Sequence, residues 1–540
     1  MTGHRIRCFR NFVPDPVRFW IMIVISLIYL LSGAAHMASM SYQVNGLSLL
    51  QEDTIMIGYM AFIGMNVSFP MLFRLRFRFT TRSILLVSTV VIICCHVAIL
   101  ETANVWILCI INFIAGFFRM LAVFEAMVCI QLILTPTRNY AVFYSVVFLT
   151  VQGSSQLFSP IVADIIHAYS LHYLHYLIIL LLFFTFLVVA FLIRHYREGK
   201  RIPLYGIDWN GFVLWSIILS LILFIITYGK YYEWLASSQI RIALVVLVIA
   251  GGLQYLNIKT VKRPYISPAA WRYPNLWKIL LLFGVIYILQ AAPGLLQNPY
   301  MAGILHFDQQ NIAYLNYYSL VGMCLSAVIC YYYFRNRKGL RPFIIGGYGL
   351  FILYLLLMYF YINPECNIER FYFPSLIRGF GLLWLYIILT LYISYVVPFM
   401  HNFQSLCIIG FMRMSLGTPL GMSVIDNLML YFTRKNTMLL SSEVDALKIQ
   451  ASEYSLIGLQ ERITRQVSML SIREMYGYLI IASLILLVAL LFEKKVKLRK
   501  FSFSFPSMSS IRYMIRRGMK NTNKYCSSTF IISIASVLES

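Results

Sequence analysis

The chain has 540 residues, of which 60% are hydrophobic and only 12% charged, with a mean hydropathy of +0.77. This balance excludes an assembly of soluble domains. A net charge of +24 would suggest nucleic-acid binding in a soluble protein, but here the basic residues sit in short connections between apolar runs, so no nucleic-acid partner is expected.

Crossing the roughly 30 Å hydrocarbon layer takes about 20 apolar residues in a helix, and such runs recur along the whole chain. They lack the alternation of barrel strands. In chain order, helices are expected at 17–40, 54–73, 84–101, 104–134, 141–165, 174–193, 209–228, 241–257, 277–298, 312–333, 342–362, 373–399, 403–431 and 475–492. The first run, Phe19 to Met40, is too long and too polar at its far end for a cleavable leader and reads as a retained helix. The fold class is therefore an all-α polytopic membrane protein.

Six helices precede a basic linker, Arg194 to Asp208, two follow it, and six more run from about residue 277. The expected division is an amino-terminal six-helix bundle (1–200), two linker helices (201–262), a carboxy-terminal six-helix bundle (263–492) with a long outer loop (432–474), and a basic tail (493–540). No strong internal repeat is visible, so two related halves rest on helix count and hydropathy. Within the long loop, Leu456, Leu459, Ile463, Val467 and Leu470 recur at helical spacing and predict a helical lead into the last span. The tail alternates Phe and Ser over Phe501–Phe505, then carries Arg512, Arg516, Arg517, Lys520 and Lys524, a composition expected of a disordered segment held against anionic lipid.

An even helix count puts both termini on one side, and most of the 44 basic residues fall on that side, including Arg5, Arg7, Arg10, Arg18, Arg138, Arg194, Arg335 and the tail. Most acids fall opposite: Glu52, Asp53, Glu101, Asp164, Glu233, Asp308, Glu365 and Glu369. The positive-inside rule makes the basic side cytoplasmic. The ten cysteines show neither CxxC pairs nor a secreted disulfide spacing and read as packing residues. The glycosylation-type triplet Asn66-Val67-Ser68 lies inside an apolar run, where no glycosylating enzyme reaches it.

Polar residues at helical spacing mark helix faces that line a water-filled cavity, because a polar group facing lipid costs several kcal/mol. Four such stripes occur: Ser32, His36 and Ser39; Asn112, Gly116 and Arg119; Gln152, Gln156 and Ser159; Gln290, Pro293 and Gln297. Interhelical hydrogen bonding is the alternative for each stripe. Arg119, mid-span, is expected to face the cavity and fix an anionic substrate group or a carboxylate partner; a buried ion pair locking two helices is the other reading. Glu125, Asp164 and Asp426 are the carboxylates placed to exchange protons, with Glu125 on a different helix face from Arg119. Gly153 and Pro160 predict a bend or close approach in the fifth helix. Arg413, with Gly417 to Gly421, reads as a packing site with one polar anchor, and Arg74, Arg76, Arg78 and Arg82 are a candidate inner clamp. No HExxH, GxSxG, P-loop or paired-carboxylate pattern supports an enzyme, and no metal or cofactor site is indicated.

Three stretches resemble the 14-helix drug:proton antiporter branch of the major facilitator superfamily, the EmrB-like proteins. They are Gly206-Ile-Asp-Trp-Asn-Gly211 with Tyr228-Gly-Lys-Tyr-Tyr-Glu-Trp234, Gly153 to Pro160, and Gly410-Phe-Met-Arg413 through Leu416-Gly-Thr418 to Tyr476. The resemblance implies two six-helix bundles with two extra helices between them, efflux of amphipathic compounds against protons by alternating access, a bacterial inner-membrane location, and a periplasmic adaptor with an outer-membrane channel as partners. The sequence departs from the family in the loop after the second helix, Leu72 to Arg82, which has no glycine or aspartate. It also has Asn112 where the fourth-helix arginine is expected, and no carboxylate in the first helix. An uncoupled facilitator or transporter-like scaffold is the alternative these departures leave open.

Overall fold

The computed structural model describes residues 8–47, 49–134, 140–196, 204–261, 263–335, 340–397, 399–442 and 456–492. Among them are 14 helices long and apolar enough to cross a membrane. The first six are α1 (Asp15–Ala38), α2 (Gln51–Ser68, prolonged by Phe69–Met71 and Leu72–Arg78), α3 (Thr81–Glu101), α4 (Val105–Leu134), α5 (Tyr140–Ala168) and α6 (Leu171–Leu192). Next come α7 (Trp209–Tyr228) and α8 (Ser238–Thr260). The last six begin with α9 (Pro274–Ala292), which continues through wide turns at Pro293–Gln297 and Tyr300–Ile304. They go on with α10 (Gln309–Arg335), α11 (Arg341–Tyr361) and α12 (Tyr372–Val396). They end with α13, built from Phe399–Gly410, a wide turn Phe411–Leu416 and Gly417–Ser442, and α14 (Leu456–Phe492).

Helix starts follow from side chains able to satisfy free amides. Asp208 accepts the Gly211 amide at 2.8 Å to begin α7, and Thr80 accepts the Ser83 amide at 3.3 Å to begin α3. Proline at the first turn serves α9 and α11, where an amide would be unpaired anyway.

α4 packs on α1, α2 and α3, while α1 packs on α5 and α3 on α6, which closes a first bundle. In the second, α12 packs on α10 and α11, α13 on α9 and α14, and α11 on α14. The bundles meet along α5–α10 and α5–α12, and where α2 lies on the wide turn of α13. α7 and α8 pair with each other, and α7 joins them to α2 and α13. Each bundle has an apolar core: Tyr29, Leu85, Ala122 and Leu182 in the first, Phe283, Phe351, Leu355 and Leu385 in the second, all fully buried.

Two glycine crossings set how closely the helices approach. A Cβ on Gly64 would collide with the Phe113 carbonyl and one on Gly116 with the Ala61 carbonyl, so α2 and α4 touch backbone to backbone. α10 and α12 repeat this geometry, Gly322 against Leu376 and Gly379 against Ser319. Around them Tyr59-Met-Ala-Phe-Ile-Gly-Met65 parallels Tyr317-Tyr-Ser-Leu-Val-Gly-Met323, and Gly116-Phe117 parallels Gly379-Phe380. The halves thus carry a local repeat that hydropathy did not reveal.

The structure corrects two boundaries. The segment expected as an outer loop over 432–474 is helical up to Ser442 and again from Leu456, with 443–455 outside the described residues. The helical spacing from Leu456 onward is therefore part of α14 itself. Arg74, Arg76 and Arg78 ride on a helical prolongation of α2 and Arg82 on the first turn of α3, so only Phe79 and Thr80 link the two helices. The tail 493–540 lies outside the described residues.

Candidate functional site

Midway along the seam between the bundles, α13 loosens into its wide turn and presents Arg413 to α5. The half-buried guanidinium lies 4.9 Å over the Phe148 ring. Phe148 stacks on Tyr386 of α12 with centroids 6.2 Å apart and planes at 18°. Tyr386 continues to Phe283 at 6.0 Å and Phe283 to Tyr287 at 6.4 Å, both on α9. The Tyr386 hydroxyl donates to Gln290 Oε1 at 2.8 Å. Gly417 and Gly421 leave no room for a side chain because α13 is seated directly on Tyr287.

This arrangement places a fixed positive charge beside flat aromatic walls drawn from both halves. A delocalised, weakly hydrated guanidinium tolerates such walls and presents a planar fork to a carboxylate or phosphate. One turn away, Asn66 of α2 donates to the Gly410 carbonyl at 2.8 Å and to Ser415 Oγ, and Ser415 donates to the Phe62 carbonyl at 3.3 Å. These bonds tie the wide turn to the opposite bundle.

The α5 stripe faces the seam as well. Ser159 accepts from Asn316 Nδ2 at 3.0 Å, and Asn316 in turn accepts from Arg378 at 3.3 Å. Asp164 accepts from Gln310 at 2.6 Å and from the Tyr314 hydroxyl at 2.7 Å, closing the end of the seam far from the chain's start. Gly153 lies against Leu320, Gln152 is half-buried, Pro160 is buried within the helix, and Gln156 has a buried Oε1 without a hydrogen-bond partner among the described residues. At the other end Tyr144 and Ser394 share a 3.1 Å hydrogen bond. Polar bonds thus bridge the seam at both ends and in the middle.

The remaining predicted residues do not gather in one cavity. Arg119 turns into the first bundle, where Nε and Nη2 donate to Ser32 Oγ at 3.0 Å and the Ser32 carbonyl at 3.1 Å, packed on Gly33. Among the described residues it has no carboxylate partner. His36 lies nearby on α1 with Gln43 Nε2 3.2 Å from its Nδ1, and Ser39 accepts from the same amide at 2.7 Å. Asn112 donates to the Leu108 carbonyl of its own helix at 3.0 Å. Gln297 accepts from Tyr354 at 2.9 Å inside the second bundle.

Glu125, expected as a proton carrier, accepts from Thr81 at 2.6 Å and pairs with Arg76 at 3.5 Å where α2 and α3 join. Arg82 donates to the Ala190 carbonyl at 2.9 Å, Arg78 is exposed, and Arg74 lines a 130 Å³ pocket with Asp208, Arg263 and Gln404. Asp426 pairs with Lys230 at 2.7 Å, pinning the α7–α8 connection to α13.

Sequence reasoning missed Asn66, Phe148, Tyr287 and Tyr386, and the buried histidines His96 and His175. Asn66 enters the sequence reading only through its glycosylation-type triplet, yet an amide in mid-span is itself a signal. The histidines carried the same signal. The aromatics had none, because 16% of the chain is aromatic.

No family model and no curated protein sequence matches the chain. Solved structures do match in shape. A peptide transporter POT aligns with a TM-score of 0.56 at 13% identity, covering 89% of this chain and 95% of that one. A POT family transporter in complex with 5-aminolevulinic acid aligns at 0.57 and 13%, covering 90% and 100%. The nucleoside transporter NupG aligns at 0.53 and 10%, covering 88% and 100%. The fold is that of the major facilitator transporters, two six-helix bundles with two extra helices between them.

Proposed function

We propose that this chain is a secondary transporter that moves organic solutes bearing an anionic group and an apolar body, by alternating access around the seam. The observation that carries this is Arg413, held on one bundle and stacked on Phe148 of the other. A bound anion there bridges both halves, so its affinity differs between arrangements of the bundles, and that difference is what drives a conformational exchange. Arg413, Gln290 and Gln152 are the substrate-facing polar groups in this reading. Arg119 supports the first bundle from inside. Both termini are assigned to the cytoplasm by the basic connections.

The test is uptake by proteoliposomes of a panel of hydrophobic anions, zwitterions and cations, with and without an imposed pH gradient. Accumulation of anionic or zwitterionic members against their gradient, lost in Arg413→Ala and unrestored in Arg413→Lys, is the expected result. Full transport by Arg413→Ala would overturn the assignment.

A second reading, export of lipophilic compounds of the kind the antiporter resemblance implies, is favoured by one feature. An apolar crevice of 510 Å³ between α2, α4, α7 and α8 is lined by Met56, Met60, Trp106, Phe113, Phe224 and Val246. Its volume suits a drug-sized molecule arriving from the membrane. Transport of cationic dyes, reduced by filling the crevice with Ser220→Trp while anion uptake persists, would select this reading. An adaptor and outer-membrane channel belong to it alone.

A further inference from the structure

The first bundle holds a polar cluster that the seam does not use. His96 of α3 and His175 of α6, both buried, bring their Nδ1 atoms within 3.1 Å of each other, with ring centroids 5.4 Å apart. His96 Nε2 is buried and among the described residues has no hydrogen-bond partner. Charged and titratable neighbours come from each side, and each opposes an added positive charge: Arg119 on α4 and His36 on α1 near His96, and His172, exposed on α6, near His175. No carboxylate is among them.

A 3.1 Å contact between two ring nitrogens requires one to donate and the other to accept. The donor ring carries its proton on Nδ1 and therefore keeps a lone pair on Nε2. An incoming proton binds there. The product is one imidazolium donating a charge-assisted bond to its neutral partner, with a single positive charge spread over the pair.

We propose that His96 and His175 form a proton-binding site of the first bundle, loaded from the face of the membrane far from the chain's start. His96 lies five residues from the end of α3 and His175 four residues into α6, which at 1.5 Å per residue is about 6–8 Å below the helix ends. His172, one turn nearer the surface on α6, marks the approach. A proton on the pair adds positive charge near Arg119, which is anchored on Ser32 and among the described residues has no carboxylate partner. Like charges in a low-dielectric interior repel strongly, so loading the pair weakens the α1–α4 contact at Ser32 and Gly33. That links protonation to the packing of the first bundle. The site supplies a coupling ion to the transporter reading, in a chain whose first helix has no carboxylate beyond Asp15 at its first residue. The proton-binding claim itself does not depend on any solute being moved.

The test uses the full chain in liposomes with ¹⁵N-histidine, followed by solid-state NMR from pH 4 to 9, so the probe is the proton alone. The expected result is a coupled pair of ring signals joined by an N–H···N bond that takes up one proton per chain toward the acidic end of that range, because Arg119 opposes the added charge. That step should be lost in both His96→Gln and His175→Gln and kept in His36→Gln. Rings that stay neutral throughout, or that titrate independently, overturn the site. If the single variants fail to fold, the wild-type ring-to-ring coupling decides it. A positive titration in protein that moves no solute would refute the transport reading and leave this site standing.

Discussion

Replacing Glu125 by Gln tests whether the α2–α4 junction is held by charge. Glu125 and Arg76 are both buried, 1% and 5% exposed, with charged atoms 3.5 Å apart. At that distance and an effective dielectric near 20, unit charges attract by about 5 kcal/mol. Removing one member of a buried pair costs about 3–5 kcal/mol because the other charge is left in a poor solvent. Gln keeps the bond from Thr81 and Arg76 retains further contacts, so the lower figure, about 3 kcal/mol, is expected. Thermal melting of the detergent-purified protein should show a clear fall for Glu125→Gln and for Arg76→Met. The double variant Glu125→Leu with Arg76→Met should recover most of the loss, since an apolar pair carries no desolvation cost. A single variant as stable as wild type, or a double variant no better than the singles, would refute the reasoning.

Gly116→Ala and Gly379→Ala should each lower stability by about 1–3 kcal/mol through backbone overlap, whereas Gly251→Ala, with open space around it, should not. Melting temperatures would separate the three. Arg119→Met deletes both bonds to Ser32 that tie α4 to α1 and should lower the melting temperature; an unchanged value would show that Arg119 does not support the first bundle. Asp164→Ala deletes two bonds across the seam, so a cysteine introduced at Gln156 should react faster with a water-soluble maleimide added from that side. Unchanged labelling would show that the seam is closed by other contacts.

The fold was legible because the bilayer imposes a length on every span, and an apolar run of that length has one structural solution. Fourteen runs in the order six, two, six therefore carried the architecture, and even the pairing of halves had a written trace in Tyr59–Met65 and Tyr317–Met323. Side-chain direction was different. Spacing showed that Ser32, His36 and Arg119 occupy consistent helix faces, but a face acquires meaning only from what packs on it. α1 and α4 turn theirs into the first bundle, while α5 turns Ser159 and Asp164 onto α10. The partners of Glu125, Asn66 and Arg413 lie 44 or more residues away in sequence, at Thr81, Gly410 and Phe148. Rotation of each helix about its axis was left open by composition and decided by packing, and with it which polar groups face the seam, which meet each other, and which hold the halves together.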